Sequence, residues 1–189
     1  STLLAYEMNG EQLPLEHGFP LRALALGWTG ANCVKWLMKI SLIGAPVKSF
    51  FMDKVYRIFQ KGEDSSSGGV ITHMMVKSII FQPLKDEQIP VGVIPIRGAA
   101  YAGEDNIKEV VVSVDNGHSW NQATLIGFDV PYAWRHWEYL WEAKRKGNVT
   151  IMSRATSTRG MKQPDTANWN VLGYCNNGVR EHGITIQIG

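Results

Sequence analysis

Along the second half of the chain, apolar and polar residues alternate in short runs that turn signals punctuate, which is the pattern of half-buried strands rather than helices. Val76 to Phe81 is one such run, and Val91 to Tyr101, which carries Gly98, is another. Glu109 to Val114 reads as a buried strand, closed by a tight Asp115-Asn116-Gly117 hairpin, since Asn-Gly accepts the positive φ angles such turns need. Ser119-Trp120 is expected to open the return strand through Leu125. Trp134 to Trp141 alternates bulky aromatics with charge at a period of two, placing Trp137, Tyr139 and Trp141 on one face. Val149 to Ala155 and Gly183 to Ile188 complete the series. About seven strands without helical periodicity predict a two-sheet, immunoglobulin-like sandwich over residues 76–188, with Trp120 and Trp137 substantially buried.

The first half is less regular. From Leu3 to Lys39, Gly and Pro interrupt the pattern every few residues, and apolar residues alternate only briefly, as at Leu21, Ala23 and Ala25. Short strands joined by loops are expected, with an Asn9-Gly10 turn, a His17-Gly18-Phe19-Pro20 step and a Gly27–Gly30 turn leading to Val34. Ile40 to Ile43 reads as a strand-like run that Gly44-Ala45-Pro46 breaks. In Ser49 to Lys61, the positions of Phe51, Val55 and Ile58 fit a short amphipathic helix or an irregular covering loop. Residues 62–69, GEDSSSGG, have the composition of a linker or exposed loop tip. The expected organisation is therefore 1–61, a linker or loop over 62–75, and a β domain over 76–189.

Composition narrows the function classes. A chain of 189 residues with 44% hydrophobic and 19% charged residues describes a soluble globular protein, and a net charge of +2 gives no basic surplus that argues for nucleic acid. No apolar run is long enough for a membrane span. The start, Ser1-Thr2-Leu3-Leu4, has neither a basic region nor a cleavage site, so no signal peptide is expected. Cys33 and Cys175 lie far apart without metal-ligand spacing, and His73, His118, His136 and His182 show none either; all read as structural, and no metal site is expected from them. His17, Arg22 and Lys35 sit on or beside turns and would together suit an anion such as a phosphate; the alternative is three surface side chains with no common target.

The motif YEMNGEQLPLEHGFPLR followed by VKWL resembles the C-terminal part of the molybdopterin domain in the sulfite oxidase family, which includes eukaryotic nitrate reductases and bacterial sulfite dehydrogenases. IRGAAYAG, EVVVSVDNGHSW, YAWRHWEYLWEA and QPDTANWN resemble the dimerisation domain of the same family, so most of the chain is covered, with residues 44–75 matched weakly. The resemblance implies a mainly β chain: a partial α+β molybdopterin-binding segment, then an immunoglobulin-like dimerisation domain. It implies that His17 and Arg22 contact the pterin of the molybdenum cofactor, and that Cys33, Val34 and Lys35 hold its phosphate end through backbone and ammonium groups. Tyr56 lies 21 residues after Lys35, the interval at which the family places an active-site tyrosine. A phenol there would donate a hydrogen bond to a developing charge; otherwise it is an interfacial packing residue.

The family's cysteine ligand to molybdenum lies well upstream of the HGFP step, and neither Cys33 nor Cys175 stands at that position. The resemblance thus implies the C-terminal portion of an oxidoreductase that couples oxygen-atom transfer to two-electron transfer, with the metal ligand on an N-terminal molybdopterin-domain segment outside this chain. It also implies a homodimer and a separate electron acceptor such as a cytochrome, with the periplasm as the compartment if the source is bacterial. A departure occurs at Trp169-Asn170-Val171-Leu172-Gly173, where sulfite-oxidising members carry an arginine at the position of Leu172. Plant nitrate reductases also lack that arginine, which puts sulfite as the substrate in question. The alternative function is a non-catalytic β-sandwich interaction module that has lost the metal-ligand half.

Overall fold

The structure, a computed structural model, describes all 189 residues and divides them into two compact units. The first comprises Ser1–Met74 together with Trp169–Tyr174; the second comprises Met75–Asn168 and Cys175–Gly189.

The first unit is built from short strands: β1 (Thr2–Ala5), β2 (Glu7–Met8), β3 (Glu11–Gln12), β4 (Arg22–Ala25), β5 (Arg57–Ile58) and β6 (Gly69–Val70). Asn9 and Gly10, at φ of 56° and 81°, form the two-residue turn of the β2–β3 hairpin that their sequence signals. β1 pairs antiparallel with β4, and Val34 bridges to Ala23 on the other edge of β4. The helical component is limited to three-residue turns and one π-helical turn, Phe51–Val55, which Ser49 opens by accepting from the Met52 amide through its hydroxyl.

One expectation for this unit needs correction. Ile40 to Ile43 forms no strand; nothing pairs with it, and Ile40 and Leu42 are fully or largely exposed. Around Tyr56, where a short amphipathic helix or an irregular covering loop is expected, a single π turn gives way at once to β5. Residues 62–75, expected as a linker or loop, form a loop tied back to the rest of the unit. Asp64 caps the Ser65–Ser67 turn through the Ser66 amide, and β6 pairs with β5.

The second unit is a two-sheet sandwich. Its strands are β7 (Lys77–Gln82), β8 (Gln88–Ile89), β9 (Gly92–Tyr101), β10 (Ile107–Ser113), β11 (Asn121–Gln122), β12 (Thr124–Ile126), β13 (Arg135–Ala143), β14 (Gly147–Ser157) and β15 (Ile184–Ile188). One sheet has the order β11-β10-β14-β15-β8 and the other β12-β13-β9-β7. All pairs are antiparallel except the two-residue pairing of β8 with β15. Inward residues of both sheets form the core, with Ile94, Ile96 and Trp137 from one and Val110, Val112, Ile151, Ala155, Ile186 and Ile188 from the other.

Trp137 is fully buried and lies opposite Gly98 in the β13–β9 register, while Tyr139 and Trp141 pack partly buried against the same core, as the period of two requires. Trp120, by contrast, is only half-buried. The hairpin after β10 is also wider than expected. Asn116 and Gly117 do adopt positive φ, yet the return strand starts at Asn121, because Asp115 spans the loop by accepting from the Ser113 hydroxyl at 2.7 Å and from the Ser119 amide and hydroxyl at 2.9 and 2.6 Å. Those Ser119 and Ser113 bonds lower the Asp115 pKa to about 2. The expected single return strand is two pieces, β11 in one sheet and β12 in the other, switching at buried Ala123.

Candidate functional site

The HGFP step owes its shape to Gly18. It ends the Leu15–His17 turn in the left-handed region at φ 109°, where an L side chain is strained, and its amide donates to the Leu15 carbonyl. A Cβ at Gly18 would also meet the Lys35 Cβ at 3.0 Å and its Cα at 3.1 Å. Only glycine therefore lets the Cys33–Lys35 strip lie against this turn. The strip is held by reciprocal hydrogen bonds between Ala23 and Val34, at 2.8 and 2.9 Å, and by Trp36, whose amide donates to Gly18 and whose indole N–H donates to Leu15.

This packing brings together five of the residues singled out in the sequence. Lys35 Nζ donates to the Glu16 carbonyl at 2.8 Å and lies 4.9 Å over the Trp36 ring. Arg22, at the start of β4, donates from Nη1 to the His17 carbonyl at 3.4 Å. His17, Val34 and Lys35 are exposed, Arg22 and Cys33 are half-buried, and the Cys33 thiol faces the Ala25 carbonyl at 4.0 Å. The result is a solvent-facing patch with an ammonium, a guanidinium and an imidazole on one edge of β4.

The donor count fits an anionic group. An ammonium has three N–H donors and a guanidinium five. Lys35 uses one on Glu16, and Arg22 uses Nη1 on His17 while its Nε has no partner. The amides of Cys33 and Val34 are different, being committed to the Gly30 and Ala23 carbonyls. Spare donors of this patch lie on the Lys35 and Arg22 side chains, and the committed Cys33 and Val34 amides serve to place Lys35. No cluster of three or more His, Cys, Asp or Glu side chains is arranged to hold a metal ion.

Tyr56 belongs to a second cluster in the same unit. It stacks on Phe51 at 5.9 Å between ring centroids and meets Tyr174 edge-on at 6.2 Å. The Trp169–Tyr174 segment is tied to its surroundings by a hydrogen bond from the Val171 amide to the Phe59 carbonyl and one from the Gln60 side chain to the Trp169 carbonyl. Asn170, buried, closes the turn by binding the Tyr174 amide and carbonyl. Tyr56 and the Leu172 departure thus fall in one neighbourhood although more than a hundred residues separate them. Sequence reading had no signal for this, nor for Trp36 as the clamp on the HGFP turn.

Comparison with known proteins agrees with this architecture. Residues 1–51 match the family model described as oxidoreductase molybdopterin binding domain, and residues 69–187 match that described as Mo-co oxidoreductase dimerisation domain. The chain is 31% identical over 183 residues to sulfite oxidase of Gallus gallus, covering 90% of this chain and 40% of that protein. It is 30% identical over 200 residues to the NADH nitrate reductase of Cichorium intybus, covering 93% of this chain and 22% of that protein. The crystal structure of the sulfane dehydrogenase SoxCD from Paracoccus pantotrophus superposes over 100% of this chain and 51% of the other, with a TM-score of 0.84 and 26% identity. The chain spans between 22% and 51% of the length of the curated relatives it matches. It belongs to the sulfite oxidase family of molybdopterin oxidoreductases.

Proposed function

We propose that this chain supplies part of the cofactor pocket and the dimerisation domain of a molybdenum-dependent oxidoreductase. The convergence of Arg22 and Lys35 on the Gly18 turn is the observation that carries this reading. In it, Lys35 and Arg22 bind the anionic phosphate end of the pterin with their spare donors, His17 contacts the pterin beside them, and Cys33 and Val34 hold Lys35 in register. The molybdenum cofactor supplies oxygen-atom transfer coupled to two-electron transfer when bound, with its cysteine ligand outside this chain. Tyr56 orients the substrate by donating its phenolic hydrogen. Leu172 offers that substrate an apolar contact in place of a cation, which favours a substrate other than sulfite. Electrons leave to a separate acceptor such as a cytochrome.

The test is cofactor retention by the complete enzyme. Arg22→Glu and Lys35→Glu are each expected to weaken it by about 1–3 kcal/mol, the range for losing a charge-assisted hydrogen bond, read as molybdenum and pterin per protein after gel filtration. Lys146→Glu, an exposed charge in the other unit, serves as the control and should leave the content unchanged. Full cofactor content in both Arg22 and Lys35 variants would defeat the assignment of these residues. A complete wild-type protein devoid of molybdenum would instead favour the non-catalytic interaction module.

The second unit is proposed to form a homodimer. The outer face of the β12-β13-β9-β7 sheet carries Val93 and Leu140, 68% and 61% exposed, beside the Arg97–Glu138 pair at 2.6 Å. An apolar centre with a charged neighbour is what an isologous interface uses. Sedimentation equilibrium should give a dimer, and Leu140→Glu should weaken it about tenfold or more, the equivalent of roughly 1.4 kcal/mol. A strictly monomeric wild-type chain at high concentration would refute it.

A further inference from the structure

The second unit contains a pocket of about 120 Å³ that the reading above does not use, bordered by Gly117, Trp120, Arg154, Asp165 and Arg180. A single water needs only about 10–15 Å³ by the same measure, so this space admits a small ligand. Its chemistry is set by two arginines and one carboxylate.

Arg154 projects from β14 with its guanidinium stacked on Trp120, 4.3 Å from the ring centroid, and its Nη2 donating to Asp165. The pairing is unequal. The Arg154 side chain is 13% exposed whereas that of Asp165 is 65% exposed, so water screens the anion far more than the cation. Arg154 Nε is buried without a partner, which leaves the guanidinium short of acceptors. Arg180 adds a second cation at the same opening. Burial and then the neighbouring Arg180 charge both hold the Arg154 pKa below its ordinary value, as expected where positive charge is incompletely compensated.

We propose that this pocket binds a small oxyanion, either free sulfate or phosphate or the terminal phosphoryl or sulfonate group of a larger molecule. Several oxygens on one centre can accept from both guanidinium groups at once, and the Trp120 ring fixes the plane of Arg154 so that its edge is presented in one orientation. Asp165 competes with the ligand for Arg154. Its carboxylate therefore tunes affinity downward.

Calorimetric titration of the 189-residue chain with sodium phosphate and sodium sulfate, at ionic strength held constant with chloride, tests this. One saturable site is expected. Arg180→Gln, at an exposed position that leaves the sandwich core untouched, should weaken binding at least fivefold. Asp165→Asn should strengthen it at least twofold, an effect of opposite sign that misfolding cannot imitate. Phenyl phosphate displacing inorganic phosphate would identify a terminal group as the ligand, and failure to displace it would identify the free ion. Absence of saturable heat, or equal affinity in wild type and Arg180→Gln, would overturn the proposal. So would a sulfate effect confined to uniform thermal stabilisation of all variants, which reflects exclusion from protein surface rather than a site.

Discussion

Replacing Trp137 by alanine is expected to destabilise the second unit by about 3–5 kcal/mol, measured as a shift of the urea midpoint, because a fully buried ring is removed from the centre of the sandwich. Trp137 sits on β13 directly opposite Gly98 of β9, and the two positions are matched: a Cβ on Gly98 would run into the Trp137 ring and the Ile79 carbonyl. Gly98→Ala alone should therefore cost about 1–3 kcal/mol from overpacking. In the Trp137→Ala background the same methyl enters vacated space and should cost less, so the double-mutant cycle should show coupling. Additive effects would mean that the backbone of Ile79, and not the ring, sets the requirement for glycine. Trp137→Phe should be milder than alanine, since both remove the indole N–H that has no partner in the core but phenylalanine leaves the smaller cavity.

The second large effect is expected at Gln163. Beyond the end of β14 the chain folds back, and the Gln163 side chain, 1% exposed, inserts between the two sheets. Its Oε1 accepts from the Ser78 amide of β7 at 2.9 Å and from the Ala155 amide of β14 at 3.2 Å, so one oxygen serves donors on both sheets. Ser78 and Ser153 add a hydroxyl pair at 2.8 Å across the same gap. Gln163→Leu keeps the side-chain bulk and strands two buried donors, at about 1–3 kcal/mol each. A total loss of about 2–6 kcal/mol in denaturant unfolding is expected. A loss below about 1 kcal/mol would show that these amides find other acceptors, and that the polar seam contributes little.

These two sites mark where a one-dimensional reading reaches and where it stops. The inward aromatics of β13 follow from alternation alone, because side chains on a strand change faces at every residue whatever the strand pairs with. The Asn9-Gly10 hairpin is legible for an equally local reason, the tolerance of those residues for positive φ. Gln163 could not be read in the same way. A glutamine after a strand carries no sign that it will be buried, since its partners, Ser78 and Ala155, come from different parts of the chain. The switch at Ala123 from one sheet to the other was hidden for a related reason: β11 pairs back with β10 and β12 forward with β13, and the long-range pairings of β10 with β14 and of β13 with β9 put those two neighbours in different sheets. Ile40 to Ile43 misled in the other direction, as apolar content promotes a strand only where an edge is available to pair with it.

For the candidate site, the sequence by itself determined the inventory: an imidazole, a guanidinium and an ammonium beside turns, and a glycine where the turn must be left-handed. Tertiary structure decided which of these meet. The antiparallel bridge between Ala23 and Val34 sets Lys35 against Gly18, and it commits the Val34 amide to the Ala23 carbonyl. Likewise, the return of Trp169–Tyr174 to the first unit puts Leu172 in the neighbourhood of Tyr56, and the approach of Arg180 to Arg154 creates a positive pocket from residues on separate elements. Local conformational preferences act over a few residues and are written in composition and spacing. Convergence of charges depends on long-range pairing, which the chain specifies only through the whole set of packed contacts.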